Sequence, residues 1–148
     1  MEDNSMPSNE TEQPKRPLGL WFLMIYTFLF TGLFSLGLAI YLWFSGFMDI
    51  TPGVNRPSLI IGALISLAII YFSVQVWLGK EKARKIFIVL IIVNYLLVGI
   101  NNFLIIQAGV VNSEEETRLW GQVLRSLIYP AFYVWYLNRP VTKQFFHD

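Results

Sequence analysis

The stretch IFIVLIIVNYLLVGINNFLIIQA, Ile86 to Ala108, runs 23 residues without a charge. As a helix rising 1.5 Å per residue it measures about 35 Å, enough to cross the ~30 Å hydrocarbon core of a bilayer. It must be a helix there, because lipid offers no partner for free backbone N–H and C=O groups. Three more apolar runs surround it, at about 18–44, 58–78 and 118–138. The predicted fold class is therefore all-α: a polytopic membrane protein with four transmembrane helices in one bundle spanning 18–138. Residues 1–17 are polar, mixed in charge and carry three prolines, which predicts a disordered cytoplasmic tail. Residues 139–148 read as a short basic cytoplasmic tail.

Composition agrees with lipid as the solvent. Of 148 residues, 55% are hydrophobic and only 14% charged, against roughly 25% charged in a typical soluble domain. The length is that of one domain. Without cysteine, disulfides, thiol redox chemistry and thiolate metal sites are excluded. The single histidine, His147, stands beside the C-terminus, so a haem held by two histidines within the bundle is excluded too. No metal, cofactor or nucleic acid is expected.

The first run is expected to stay in the protein. It is much longer than the 7–15 apolar residues of a signal peptide and lacks a clear small-residue cleavage site. Pro17 and Pro57 stand where helices begin, at positions that tolerate a missing N–H. Gly79 follows the second run as a predicted C′ residue, and Pro140 closes the fourth.

Orientation follows from the basic residues outside the runs. Lys15, Arg16, Lys80, Lys82, Arg84, Lys85, Arg139 and Lys143 fall on one side, against Arg56 and Arg118 on the other. Both termini and the 79–85 loop are predicted to be cytoplasmic. Trp21, Trp43, Trp77, Trp120 and Trp135 each lie near a span end, where amphipathic rings favour the headgroup level.

The loop cations Lys80, Lys82, Arg84 and Lys85 suit anionic lipid headgroups or a membrane partner, beside their plainer role as a topology signal. The acidic run Asn112–Arg118 is a poor closed metal site, because consecutive helical carboxylates diverge. It reads better as helix initiation, with Ser113 as N-cap, Glu116 completing a capping box and Glu114 able to pair with Arg118.

Small residues recur at helical spacing as Ser58, Gly62 and Ser66 in the second run and Thr31, Ser35 and Ala39 in the first. Such stripes let helices approach closely in lipid, within the chain or between copies. Asn94 and Asn101 share one face of the third helix and Asn102 an adjoining one. Gln122, Arg125, Tyr129, Tyr133 and Tyr136 form a stripe on the fourth. Counted from the outer surface, Arg125, Asn101, Asn102, Ser35 and Ser66 lie at similar depth, roughly 10 Å down. A second tier nearer the cytoplasm holds Thr27, Thr31, Tyr71, Ser73, Asn94 and Tyr133.

These residues give a candidate polar intramembrane site of Arg125, Gln122, Asn101, Asn102, Ser66 and Tyr129. Three readings of Arg125 stay open: it snorkels outward, it is tied to Asn101, Gln122 and carbonyls, or it holds an anionic group in a cavity open to the outside. All ten acidic residues lie outside the four runs. A proton-coupled cation exporter would need a membrane carboxylate, and no nucleophile–base set or phosphate loop is visible.

The ending RSLIYPAFYVWYLNRPVTKQFF resembles that of a bacterial domain-of-unknown-function family of small four-span inner-membrane proteins, whose members end in a Tyr-Phe-x-x-Ser-x-Arg-Val-Lys-x-Thr-Phe type of pattern. Tyr136, Arg139, Val141, Lys143 and Phe145 echo it; Pro140 and the missing serine depart from it. The resemblance covers about the last 25 residues and the four-span layout, and implies a bacterial inner-membrane setting with no known activity. The expected function is that of a non-enzymatic membrane protein acting through other membrane components. The alternative is a small carrier or lipid-handling protein with an anion site around Arg125.

Overall fold

The computed structural model describes residues 17–45, 56–109 and 111–147. The tail expected at 1–16 lies outside the described residues. Helix makes up about 88% of those described, with no strand among them. Four long helices account for nearly all of it: α1 Leu18–Ser45, α2 Arg56–Trp77, α3 Glu81–Gln107 and α4 Ser113–Leu137. A short α5, Pro140–Lys143, follows. Three of them, α1, α2 and α3, are long and apolar enough to cross a membrane, the mark of a membrane protein.

Side-chain contacts show that neighbouring helices run antiparallel. Trp21 near the start of α1 meets Trp77 at the end of α2, ring centroids 5.6 Å apart. Gly79, at a φ of 81° that L side chains rarely adopt, turns the chain from α2 into α3. The start of α3 lies against the end of α4, and the end of α4 returns to the start of α1, where Tyr136 sits over Gly19. α1 packs extensively along α2, and α3 along α4.

The core is concentrated at the end of the bundle that carries the basic turn. Leu20 and Met24 of α1, Ile69 and Val76 of α2, Phe87 and Ile91 of α3, and Tyr133 and Leu137 of α4 are all buried there. At the opposite end, the Ser35–Ser45 part of α1 buries nothing. Phe22, Phe34, Phe44, Leu64, Leu104 and Leu127 are exposed around the outside, an arrangement suited to hydrocarbon rather than water.

Several local expectations change. The basic segment is not a loop beyond Lys80, since α3 begins at Glu81 and carries Lys82, Arg84 and Lys85 in its first turns. The N-cap of α4 is Asn112 rather than Ser113. Its side chain accepts from Glu115 N at 2.8 Å, and Glu115 Oε2 accepts from Asn112 N at 3.4 Å. Three glutamates in a row offer two capping-box registers, and the chain takes the earlier one. Glu114 and Arg118 form no ion pair among the described residues.

The C-terminal segment is no loose tail. His147 N donates to Gly79 O at 2.9 Å and Glu81 N donates to His147 O at 3.1 Å, while Thr142 and Phe145 are buried. These bonds strap the segment across the basic end of the bundle.

The middle of α1 departs from α-helix. Thr27–Phe34 forms a π-helical segment, a widened ladder found mostly as short bulges and often at functional sites. Thr27 Oγ1 donates to Leu23 O at 2.7 Å, competing with the backbone ladder where the widening starts.

Candidate functional site

Polar side chains gather at three levels along the bundle. At the end remote from the basic turn, Asn102 of α3 is buried and its Nδ2 donates to Gln122 Oε1 of α4 at 2.9 Å. One turn deeper, Gly99 lets α4 approach so closely that an added methyl would collide with Ser126 Oγ. Ser126 in turn donates to Val123 O at 2.6 Å. Pro130, buried in the same helix, lacks the N–H that would bond to the Ser126 carbonyl.

Of the six residues expected to form one site, this level brings together Asn102 and Gln122 alone. Asn101 is exposed and lines a cleft of about 410 Å³ between α2 and α3 with Asn94, Ser58 and Gly62. Ser66 is buried on α2, but no side-chain hydrogen bond joins it to the Asn102–Gln122 pair. Tyr129 is exposed and packs edge-on against Tyr95, centroids 5.6 Å apart. Arg125 is exposed, has no hydrogen-bond or ion-pair partner among the described residues, and lines none of the cavities described here. The tie from Arg125 to Asn101 and Gln122 is therefore absent: Gln122 is turned to Asn102, and Asn101 points into a different cleft.

The packing residues also differ from expectation. A methyl at Gly62 would meet nothing within 4 Å, so Gly62 makes no close helix contact within the chain among the described residues. Close approaches occur instead at Gly19 against Tyr136, at Gly99 against Ser126, and at Gly32, where a methyl would stand 2.6 Å from Ile70 Cγ1. Thr31 is buried beside Gly32 in the π-helical segment, while Ser35 is only half-buried and Ser58 is exposed.

At the middle level the buried Thr27 meets the buried Tyr133, oxygen to oxygen 2.6 Å. The Thr27 hydroxyl already donates to Leu23 O, so Tyr133 donates and Thr27 accepts. Phe87 of α3 flanks the Tyr133 ring at 6.2 Å. The second tier read from sequence is thus partly assembled through Thr27 and Tyr133. Ser73 bonds locally to Ile70 O, Asn94 belongs to the α2–α3 cleft, and Tyr71 is exposed.

At the basic end Arg84 is the central residue, with its side chain only 5% exposed. Its Nε and Nη2 donate to the two carboxylate oxygens of Glu81, both at 2.6 Å. Its Nη1 donates to Leu137 O at 2.9 Å and to Asn138 Oδ1 at 2.8 Å, and its guanidinium lies 5.5 Å from the Phe146 ring centre. Arg84 therefore cannot serve as one of four surface cations for lipid. Lys80, Lys82 and Lys85 are exposed, and Lys85 Nζ reaches Glu81 Oε1 at 3.5 Å. The missed signal was the three-residue spacing of Glu81 and Arg84, which becomes a side-chain pair once the segment is helical.

No family model, curated protein or solved structure matches this chain.

Proposed function

We propose that the chain is a four-span membrane protein that acts through lateral contact with another membrane protein rather than by catalysis. The observation that carries this reading is Arg125: a guanidinium on the exposed side of α4, unpartnered among the described residues and outside the described cavities. At membrane depth such a group is expensive unless something pairs with it. A carrier with an anion pocket around Arg125 finds no support in the described cavities. The Ser35–Ser45 part of α1, with no fully buried residue among the described ones, gives the same reading a second footing.

In this proposal α4 is the fourth span despite Gln122, Arg125 and Pro130, because it packs along the full length of α3 as an antiparallel neighbour. Both termini are cytoplasmic by the eight-to-two distribution of Lys and Arg. The resemblance of the C-terminal ending supports a bacterial inner membrane. Lys80, Lys82 and Lys85 then face anionic lipid on the cytoplasmic side.

Two measurements test the proposal. A cysteine at Ser113 should react with a membrane-impermeant thiol reagent in intact cells and one at Lys82 should not; the reverse pattern overturns the topology. A photoreactive residue replacing Leu124, beside Arg125, should give a discrete protein adduct in native membranes, and Arg125→Leu should abolish it. Adducts with lipid alone would overturn lateral contact at this face.

A further inference from the structure

Where α2 ends and α3 begins, a cavity of about 380 Å³ opens at the basic end of the bundle. Its wall includes Gln75, whose Oε1 is buried without a hydrogen-bond partner among the described residues. Buried polar atoms are nearly always satisfied, so an orphan acceptor on a cavity wall calls for a donor that the described residues do not supply. Lys80 and Lys82 stand at the mouth, exposed and with no carboxylate paired to either among the described residues. Glu81 also lines the cavity, but Arg84 holds both its oxygens and Lys85 stands 3.5 Å from one of them. Its negative charge is already compensated, and the cationic character of the mouth prevails. Tyr71 and Ile86 are exposed and carry an apolar surface from the cavity onto the outside of the bundle.

We propose that this cavity binds the headgroup of an anionic glycerophospholipid that carries a free hydroxyl. The phosphate accepts from the Lys80 and Lys82 ammonium groups. The headgroup hydroxyl donates to Gln75 Oε1 after a turn of the carboxamide, and the acyl chains follow Tyr71 and Ile86 into the bilayer. A choline headgroup fits badly, because it adds a cation beside two lysines and offers no donor. Phosphatidic acid meets the lysines but carries no headgroup hydroxyl beyond its phosphate to reach Gln75. The proposal rests on the membrane reading, and goes beyond surface attraction by naming an acceptor that selects among anionic lipids.

The test uses the purified full-length chain in detergent, with native mass spectrometry of bound lipid. Phosphatidylglycerol, phosphatidic acid and phosphatidylcholine of equal chain length are offered in competition. Retention should follow that order, and Lys80→Gln or Lys82→Gln should weaken both anionic lipids roughly fivefold each. Gln75→Leu should remove the advantage of phosphatidylglycerol over phosphatidic acid while leaving thermal unfolding unchanged. Equal retention of phosphatidylglycerol and phosphatidylcholine overturns the proposal, as does a Gln75→Leu variant that keeps the phosphatidylglycerol advantage. Glycerol phosphate that displaces the lipid at equal concentration overturns the lipid as source in favour of a soluble phosphate ester. Carbonate washing of native membranes separates the two readings: release of the chain refutes the membrane reading, whereas retention without lipid preference refutes the cavity alone.

Discussion

Arg84 Nη1 donates to the carbonyl oxygen of Leu137 across 2.9 Å, joining the first turns of α3 to the last turn of α4. The same guanidinium holds Glu81 through two parallel bonds, so one side chain satisfies a carboxylate, a helix-end carbonyl and the Asn138 amide oxygen. Truncating Arg84 leaves the buried Leu137 carbonyl without its donor, typically at about 1–3 kcal/mol, while the partly exposed Glu81 keeps Lys85 at 3.5 Å. Arg84→Met should therefore lower stability by that order. Arg84→Lys should recover little, since an ammonium cannot reproduce the planar fork. Thermal unfolding in detergent checks both, and a lysine variant as stable as the parent would show that the fork geometry is dispensable.

Asn102 and Gln122 form the one polar side-chain bridge between α3 and α4 near the end remote from the basic turn, among the described residues. Such interhelical bonds average ~0.6 kcal/mol and reach ~1.7. Asn102→Leu and Gln122→Leu should each destabilise within that range, and the double variant should show coupling rather than additivity. Asn101→Leu, one residue away but facing the α2–α3 cleft, should leave the stability of the purified chain unchanged. Equal losses at Asn101 and Asn102 would contradict this assignment of faces.

These neighbours show what the sequence could and could not disclose. The apolar runs revealed the helices, because hydrocarbon permits no other treatment of the backbone. Gln122 with an asparagine of α3 was foreseeable by depth, but Asn101 and Asn102 differ in depth by only one residue. Only the rotation of α3 about its axis decides between them, and Gly99 close against Ser126 shows which way it is turned. Arg84 was misread for a related reason. In a segment rich in lysine and arginine, charge alone gives no sign that one cation turns inward. Its partners Leu137 and Asn138 lie more than fifty residues away. The π-helical segment has no signature in the apolar pattern, although its Thr27 and Thr31 belong to the second polar tier.

Thr27 and Tyr133 tie that widened segment to α4 through a bond with an assigned direction. Tyr133→Phe removes the donor yet leaves Thr27 Oγ1 its own bond to Leu23 O, so the loss should be near ~1 kcal/mol. Thr27→Val removes the acceptor and strands the buried tyrosine hydroxyl, and should cost more than Tyr133→Phe. The order of the two losses in thermal unfolding reports the direction of the bond. If Tyr133→Phe proves the more damaging, the donor assignment is wrong.

Gly99 and Gly62 separate packing inside the chain from packing against something else. A side chain at Gly99 of α3 runs into Ser126 of α4. Gly99→Leu should therefore strain the purified protein by about 1–3 kcal/mol, as overpacking does. Gly62 opens onto the α2–α3 cleft with no atom within 4 Å of an added methyl, so Gly62→Leu should leave the unfolding of the purified protein unchanged. In native membranes the same substitution fills part of the cleft beside Asn94 and Asn101. If a neighbouring helix occupies that cleft, Gly62→Leu should weaken its crosslinking to this face while Gly99→Leu, once folded, should not. Destabilisation of the purified Gly62→Leu variant comparable to that of Gly99→Leu would mean that the cleft closes within the chain itself.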